Sequence, residues 1–160
     1  MSRFHLAPWI TLVALAGLAG CQNASPPESF PQAAADGWLD AFNSGDAAGI
    51  ALMYCPDGKV LPPDQPIISG PAAIAEFWKN YNPGNVRIEI NEVETMKLGE
   101  YWFREGTFTG LYPSEGEPRV GKFIELWKKV DSAWLIHRHM WSANGPPPTP
   151  PDSPATTPAS

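Results

Sequence analysis

The order of helical and extended patterns along this chain predicts an α+β fold, with N-terminal helices packed on a curved antiparallel sheet. Apolar residues recur every three or four positions in the first half of the chain and every second position in the second half. The extended segments of the second half are long and joined by short turns, as in a meander of four strands. Helices on one face of such a sheet leave a cone-shaped pocket between the two layers.

The composition fits one folded domain with polar tails. The chain has 160 residues, of which 43% are hydrophobic and 11% aromatic, so a sizeable core is expected. It has 11 Lys and Arg against 17 Asp and Glu, a net charge of −6. That balance argues against a nucleic acid partner, because phosphate binding needs a basic surface.

Periodicity and capping residues predict three helices. The first begins at Pro31 and ends at 43–45, and Asp46 caps a second, short helix. The third begins at 69–71 and ends at 82–84. The first and third helices each carry an apolar stripe: Ala35, Trp38, Leu39 and Phe42 in one, and Ile74, Phe77, Trp78 and Tyr81 in the other.

Extended patterns predict the strands. A short strand at 59–61 is stopped by two prolines, and strict alternation begins at 86–90. Further strands follow at 101–112, 122–130 and 133–141, the last two joined by a tight turn at 131–132. Gly106 and Gly110 are predicted bends within the 101–112 strand.

The N-terminus has the pattern of a targeting sequence. Residues 10–20 are apolar or small, and this run is too short for a membrane span, which needs about 20 residues. It therefore predicts a signal peptide at 1–20. Leu18-Ala19-Gly20-Cys21 resembles the bacterial lipobox, which implies cleavage before Cys21 and lipidation of its thiol. Gln22 in the next position favours the outer membrane, facing the periplasm.

The remaining segments divide the chain into tether, domain and tail. Residues 21–30 are the lipidated Cys and a flexible tether, 31–144 the domain, and 145–160 a disordered tail with seven prolines. If Cys21 is acylated, Cys55 is the only free thiol. Its apolar neighbours predict a buried, inert side chain rather than a nucleophile.

Four motifs together resemble the NTF2-like superfamily, also called cystatin-like, and its SnoaL-like, DUF4440 branch. The motifs are Trp38-x3-Phe42-Asn43-Ser44-Gly45-Asp46, Tyr54-x2-Asp57-Gly58-Lys59-Val60, Gly70-x3-Ile74-x2-Phe77-Trp78 and Trp127-Lys128-Lys129-x3-Ala133-Trp134-x6-Trp141. The resemblance covers about 34–144. It implies the fold more than the activity, since this fold hosts both enzymes and non-catalytic modules.

The resemblance allows a comparison with the ketosteroid isomerases of the superfamily, which use an Asp base and an oxyanion hole. Their oxyanion-hole Tyr falls on Trp38 and their base Asp near Pro62, which cannot accept a proton. Their second carboxyl falls near Glu125, and their pocket Trp matches Trp141. Isomerase chemistry by that mechanism is therefore not expected.

Glu125, His137 and His139 are the candidate catalytic residues. Strand alternation places His137 and His139 on one face, and Glu125 on the matching face of the preceding strand, where it could share a proton with one imidazole. The alternatives are a structural ion pair of Glu125 with a His or with Arg138, charges solvated on the other face of the sheet, and a metal site of both His and Glu125. If Arg104 points inward, Glu125 is also a candidate partner for it. No metal or cofactor is predicted.

Aromatic residues are the candidate ligand contacts, because a pocket lined by rings with a few polar groups is typical of a small-molecule site. The predicted contacts are Trp38, Phe42, Tyr54, Phe77, Phe123, Trp127 and Trp141. The other face of the last two strands is also apolar, which predicts a homodimer. That face is assigned Ile124, Leu126, Trp134, Ile136 and Met140.

Three functions fit these observations. The first is a membrane-anchored module that binds a small apolar or amphipathic molecule without turning it over. The second is a SnoaL-like enzyme that performs proton transfer or hydrolysis on a small organic substrate. The third is an interaction module that acts through its sheet face, which a small, closed cavity would favour.

Overall fold

The computed structural model describes residues 28–82, 86–112 and 117–145, apart from the side chain of Val93. The predicted signal peptide, Cys21 and all of the Pro-rich tail beyond Gly145 lie outside these residues. The helices are α1 (Gln32–Ser44), α2 (Ala47–Leu52) and α3 (Pro71–Tyr81). The strands are β1 (Tyr54–Leu61), β2 (Ile68–Ser69), β3 (Arg87–Leu98), β4 (Tyr101–Leu111), β5 (Arg119–Val130) and β6 (Ala133–Ala143).

The six strands form one curved sheet in the order β2-β1-β6-β5-β4-β3. The predicted α+β fold is confirmed, with one difference in the sheet. β1 pairs in parallel with β6, whereas the other neighbours pair antiparallel, so the sheet is mixed. β1 is longer than the predicted strand and pairs across the sheet with the last strand of the chain, which the local pattern at 59–61 could not indicate.

The helix boundaries follow the predicted capping residues. Gly45 ends α1 in the left-handed conformation, with φ of 75°, and its N–H donates to carbonyls of the last turn. Asp46 caps α2 because its Oδ1 accepts from the Gly49 N–H at 2.8 Å. None of the helices in the described part of the chain is long and apolar enough to cross a membrane.

Two asparagines fix the start of β3 against α1. The Asn82 side chain is buried and donates to the Phe42 carbonyl at 2.7 Å, and its oxygen accepts from the Val86 N–H at 3.1 Å. The Asn43 side chain makes both backbone hydrogen bonds of Ile88, at 2.8 and 3.0 Å. These contacts satisfy backbone groups at the free edge of the sheet and hold the start of β3 against α1.

A β-bulge in β6 changes the predicted alternation. Leu126 pairs with Arg138 and Trp127 with Ile136, so His137 is an extra residue without a partner on β5. The inward positions of β6 are therefore Ile136, His139 and Trp141. The prediction that His137 shares a face with His139 is wrong, because one extra residue reverses the side-chain direction beyond it.

The same bulge corrects the predicted outer apolar face. Ile136 is fully buried in the core, and Trp134 is half-buried and packs against that core. Ile124 and Met140 are exposed on the outer face as predicted, and Val120 adds to them. Gly106 lies beside a second bulge, between β3 and β4, which agrees with its predicted role as a bend.

Candidate functional site

A narrow pocket lies between the helices and the inner face of the sheet. Its free volume is about 30 Å³, which is room for one or two water molecules. Its buried floor consists of Trp38, Phe42, Trp78, Phe123, Glu125, His139 and Trp141. Its half-buried mouth consists of Tyr81, Ile88, Ile90, Phe108 and Tyr112.

The floor contains a buried ion pair. Glu125 on β5 and Arg104 on β4 pair across the sheet, and each is nearly inaccessible to solvent. The Arg104 Nη1 donates to Glu125 Oε2 at 3.1 Å, and the Trp127 indole N–H donates to the same oxygen at 2.8 Å. Arg104 Nε also donates to Glu92, at 3.0 Å, which connects the buried pair to the protein surface. The pairing of a buried Arg104 with Glu125 is as predicted.

Rings enclose the guanidinium of Arg104 on two sides. It lies 5.2 Å from the Phe123 ring centre and 5.5 Å from that of Phe30. Phe30 also makes edge-to-face contacts with Trp102 and Trp127, both at 6.0 Å. The end of the predicted tether therefore contacts the domain, and Phe30 covers one side of the Arg104 guanidinium.

His139 occupies the centre of the floor. Its Nδ1 lies 2.8 Å from the Tyr54 hydroxyl, and its ring contacts Trp38 at 5.0 Å and Trp141 at 5.1 Å between centres. Among the described residues, the buried indole nitrogens of Trp38 and Trp78 have no hydrogen-bond partner. His139 Nε2 faces the Glu125 carboxylate, which favours a neutral imidazole with its proton on Nε2, and the Tyr54 hydroxyl then donates to Nδ1.

Burial controls the charge of the His139 imidazole and the Tyr54 hydroxyl. Desolvation lowers the pKa of His139, and the nearby Arg104 acts in the same direction while Glu125 opposes it. Desolvation, followed by the charge of Glu125, raises the pKa of Tyr54 well above its ordinary value. Both side chains are therefore neutral at pH 7.

One gap in the polar network faces the pocket. His139 Nε2 lies 3.8 Å from Glu125 Oε1, which is too far for a hydrogen bond. Among the described residues, no hydrogen bond reaches Oε1, while Oε2 accepts two. A group that accepts from Nε2–H and donates to Oε1 would complete the network, and a hydroxyl can do both.

The structure separates the predicted site residues into three groups. Glu125 and His139 line the pocket, as do four of the predicted aromatic contacts: Trp38, Phe42, Phe123 and Trp141. Tyr54 and Trp127 lie behind the floor and orient His139 and Glu125. Phe77 and His137 do not line it: Phe77 packs beside it against Tyr81 and Trp141, and His137 lies on the other face of the sheet.

Six lining residues are absent from the predicted contacts: Trp78, Tyr81, Ile88, Ile90, Phe108 and Tyr112. Trp78 and Tyr81 belong to the apolar stripe of α3, and Ile88 and Ile90 to the alternating face of β3. Phe108 and Tyr112 share the alternation of Arg104 in β4. Each pattern was visible in the sequence, but which strand faces which helix depends on the long-range pairing of the sheet.

The pocket lacks the isomerase residues that the resemblance calls for. Trp38 contributes a buried indole, and Pro62 is buried at the end of β1, where the base would stand. The alternative metal set of Glu125, His137 and His139 is also not assembled, since His137 lies on the other face of the sheet. Among the described residues, one other group is close enough for a metal: Cys55, Asp57 and His137.

Comparison with known proteins agrees with this architecture. The SnoaL-like domain family matches residues 35–137, which is more than half of the chain. The chain belongs to this family. No curated protein matches it. The DUF4440 branch and the lipoprotein motif stay predictions.

Solved structures similar to this SnoaL-like domain share its fold at low sequence identity. A ketosteroid isomerase-like protein from Erwinia carotovora is 23% identical, with a TM-score of 0.62 over 72% of this chain and 94% of that one. An NTF2-like protein of unknown function from Shewanella oneidensis is 16% identical, with a TM-score of 0.59 over 69% and 93%. An NTF2-like protein with a cystatin-like fold from Novosphingobium aromaticivorans is 14% identical, with a TM-score of 0.61 over 70% and 78%.

Proposed function

We propose that this SnoaL-like domain binds a small ring-shaped molecule carrying a hydroxyl group, and that it holds the molecule without turning it over. The observation that carries the proposal is the 3.8 Å gap between His139 Nε2 and Glu125 Oε1 at the floor of an aromatic pocket. A hydroxyl in that gap would accept from His139 and donate to Glu125, while the rings around it contact the apolar part of the ligand.

The pocket must open for such a ligand. Its present free volume is smaller than a benzene ring, so side chains at the mouth have to move. Tyr81 is the residue best placed to do so, since it is half-buried and held by the Trp141 indole N–H at 3.2 Å. Phe77 stacks on the outer side of Tyr81 at 5.4 Å and would follow it.

Phenol and toluene are matched probes for this proposal, since they differ in the hydroxyl group. The readout is the shift of the indole N–H resonances of the full chain by NMR. Phenol is expected to shift the signals of Trp38, Trp78 and Trp141 saturably, with a Kd of about 1 mM or lower, which is within the limits for a seven-atom ligand. Trp134 lies outside the pocket and serves as the internal control.

The hydroxyl preference is tested by Glu125→Gln. This variant keeps the shape of the side chain and removes the charged acceptor, so phenol binding should fall to the level of toluene. Asp57→Asn, on the other face of the sheet, is the matched control and should bind phenol normally. Equal affinity of the wild-type protein for phenol and toluene, or no saturable shift with either, would contradict the proposal.

Proton transfer is the second candidate function, favoured by the neutral His139 beside a carboxylate. In that case Glu125 Oε1 takes a proton from a carbon next to a carbonyl, and His139 Nε2–H donates to the developing enolate oxygen. We rank it second because Glu125 Oε2 is already committed to Arg104 and Trp127, as in a structural carboxylate. Faster hydrogen–deuterium exchange of the acetophenone methyl group, lost in Glu125→Gln, would favour the enzyme.

Membrane anchoring through Cys21 is part of the proposal and rests on the lipobox-like sequence. Only residues 22–27 separate Cys21 from Glu28, whose carboxylate pairs with Lys97 at 2.6 Å and with Lys129 at 3.6 Å. We therefore propose that the domain is held close to the outer membrane, in the periplasm. Mass spectrometry should find a lipidated N-terminal peptide beginning at Cys21, and the lipid should be absent from Cys21→Ser.

We further propose that the protein is a homodimer through the outer face of the sheet. Val120, Ile124 and Met140 leave apolar surface exposed on that face. Light scattering of the Cys21→Ser protein should give twice the chain mass, and Ile124→Lys should reduce it to one chain. If the protein is a monomer at high micromolar concentration, the homodimer proposal is wrong and the outer face of the sheet is available to another partner.

A further inference from the structure

A second polar cluster lies on the face of the sheet opposite the pocket. Cys55 and Asp57 of β1 and His137 of β6 bring their ligand atoms within 4.8 Å of one another. Cys55 is completely buried, the His137 side chain is 13% exposed and the Asp57 side chain 67%. The cluster therefore has a buried end at the thiol and an open end at the carboxylate.

Two irregularities of the sheet meet at this cluster. His137 is the bulged residue of β6, and β1 loses register with β6 between Tyr54 and Lys59. Residues 55–58 therefore stand opposite the single residue His137, which turns the side chains toward one another. Bulges often redirect side chains in this way. Gly58 is required here, because a Cβ would lie 2.8 Å from the Cys55 carbonyl oxygen and 3.1 Å from that of Ile136.

The polar atoms of the cluster are not satisfied by one another. His137 Nδ1 is buried and lies 3.6 Å from Asp57 Oδ1, and within the described part of the chain it has no hydrogen-bond partner. The Cys55 thiol makes only a 3.7 Å contact with the Leu135 carbonyl. A buried ring nitrogen that lacks a partner is costly and is rare in folded proteins.

The three donors match a borderline transition metal. Thiolate, imidazole and carboxylate all ligate Zn²⁺, and three protein ligands with one open position are typical of a reactive zinc site. Tetrahedral coordination requires ligand atoms about 3.6 Å apart, so a contraction of about 1 Å would form the site. The open position faces solvent beside Asp57.

We propose that Cys55, Asp57 and His137 form a binding site for a divalent transition metal of the Zn²⁺ type. This departs from the sequence-based expectation of no metal and is independent of the ligand in the pocket. On binding, the thiol proton leaves to solvent and the sulfur bonds to the metal, so thiolate and carboxylate together neutralise the two positive charges. Lys128 and Arg138 lie nearby and oppose a cation, which makes the thiolate essential for affinity.

Cobalt titration of the full-length chain tests this site, because Co²⁺ substitutes for Zn²⁺ and is coloured. We expect a thiolate-to-cobalt charge-transfer band and the visible bands of four-coordinate Co²⁺, reaching one equivalent and displaced by Zn²⁺. Cys55→Ser should abolish the charge-transfer band. His137→Gln and Asp57→Asn should each weaken Co²⁺ binding at least about tenfold.

Cys21→Ser is the matched control, since it removes the other thiol of the chain. Unchanged bands in Cys21→Ser would support the site. Their loss in that variant would assign the metal to Cys21 and overturn the proposal, as would the absence of a charge-transfer band in the wild-type chain. Because Asp57 is exposed, Asp57→Asn should fold normally, and unchanged Co²⁺ affinity in it would also contradict the three-ligand set.

Discussion

His137 and His139 are two residues apart in β6, yet they lie on opposite faces of the sheet. His139 is enclosed by rings at the pocket floor and bonded to Tyr54. His137 lies on the other face, beside Cys55 and an exposed carboxylate. The pocket floor is a polar network with one gap, between His139 Nε2 and Glu125 Oε1. The cluster of Cys55, Asp57 and His137, the bulge cluster, is open to solvent at Asp57. One extra residue in a strand thus separates a candidate ligand pocket from a candidate metal site.

Removal of the buried carboxylate should have the largest effect. Glu125→Ala leaves Arg104 buried with only the half-exposed Glu92 as partner, which should cost about 3–5 kcal/mol of unfolding free energy. Urea denaturation measures the loss, and Glu125→Gln serves as the milder variant if Glu125→Ala does not fold. A loss below about 1 kcal/mol would show that Glu92 alone compensates Arg104.

Substitutions of two glycines test the packing of the pocket and of the cluster around His137. In Gly121→Ala the new Cβ would clash with the Phe108 ring and lie 2.6 Å from the Ser142 carbonyl oxygen, and in Gly58→Ala it meets backbone only. Each should lose about 1–3 kcal/mol. Gly121→Ala should also change phenol binding through Phe108, and Gly58→Ala should change Co²⁺ binding. Gly145→Ala has open space and should be neutral in thermal denaturation.

The pH dependence of stability should distinguish the two histidines. Desolvation by burial lowers the folded-state pKa of both histidines. Near pH 6.5, the ordinary pKa of a histidine in the unfolded chain, the unfolded state therefore binds more protons than the folded state. Stability from this source is full above pH 6.5 and is lost as the pH falls toward the folded pKa. Each histidine contributes a slope of at most about 1.4 kcal/mol per pH unit.

Urea midpoints at pH 7.5 and 5.5 measure this slope. His139→Gln should flatten the dependence more than His137→Gln, because His139 is surrounded by rings and His137 has Asp57 beside it. An equal change in both variants would mean that the two sites are equally desolvated in solution.

Loss of the Tyr54 hydroxyl should have a moderate effect. Tyr54→Phe leaves His139 Nδ1 buried without a partner, at a cost of about 1–3 kcal/mol. It should also free the His139 ring to change tautomer, so the preference for phenol over toluene should decrease in the NMR titration. An unchanged preference would contradict the assignment of the proton to Nε2.

The smallest effect is expected at the open end of the bulge cluster. Asp57→Asn removes a charge whose side chain is mostly exposed and 3.6 Å from His137, so the free energy of unfolding should change by no more than about 0.5 kcal/mol. Thermal denaturation without added metal checks this. A larger loss would mean that Asp57 holds the bulge together and would give the cluster a structural role.

The sequence by itself determined the three helices and the long strands of the second half of the chain. Helical spacing, Gly45, Asp46 and Pro71 defined the three helices, because capping and backbone geometry are local. Alternation defined the long strands and placed Glu125 and Trp141 inward. The motifs along 34–144 indicated the SnoaL-like fold that the family comparison shows.

Only the tertiary structure decided which of these residues meet. The parallel pairing of β1 with β6 joins positions about 80 residues apart and brings Tyr54 to His139 and Cys55 to His137. The bulge at His137 reversed the predicted direction of one candidate residue, since side-chain direction beyond a bulge depends on strand pairing and not on local spacing. Strand pairing depends on contacts between residues that are far apart in the sequence. The sequence therefore identified candidate site residues but did not show which of them meet.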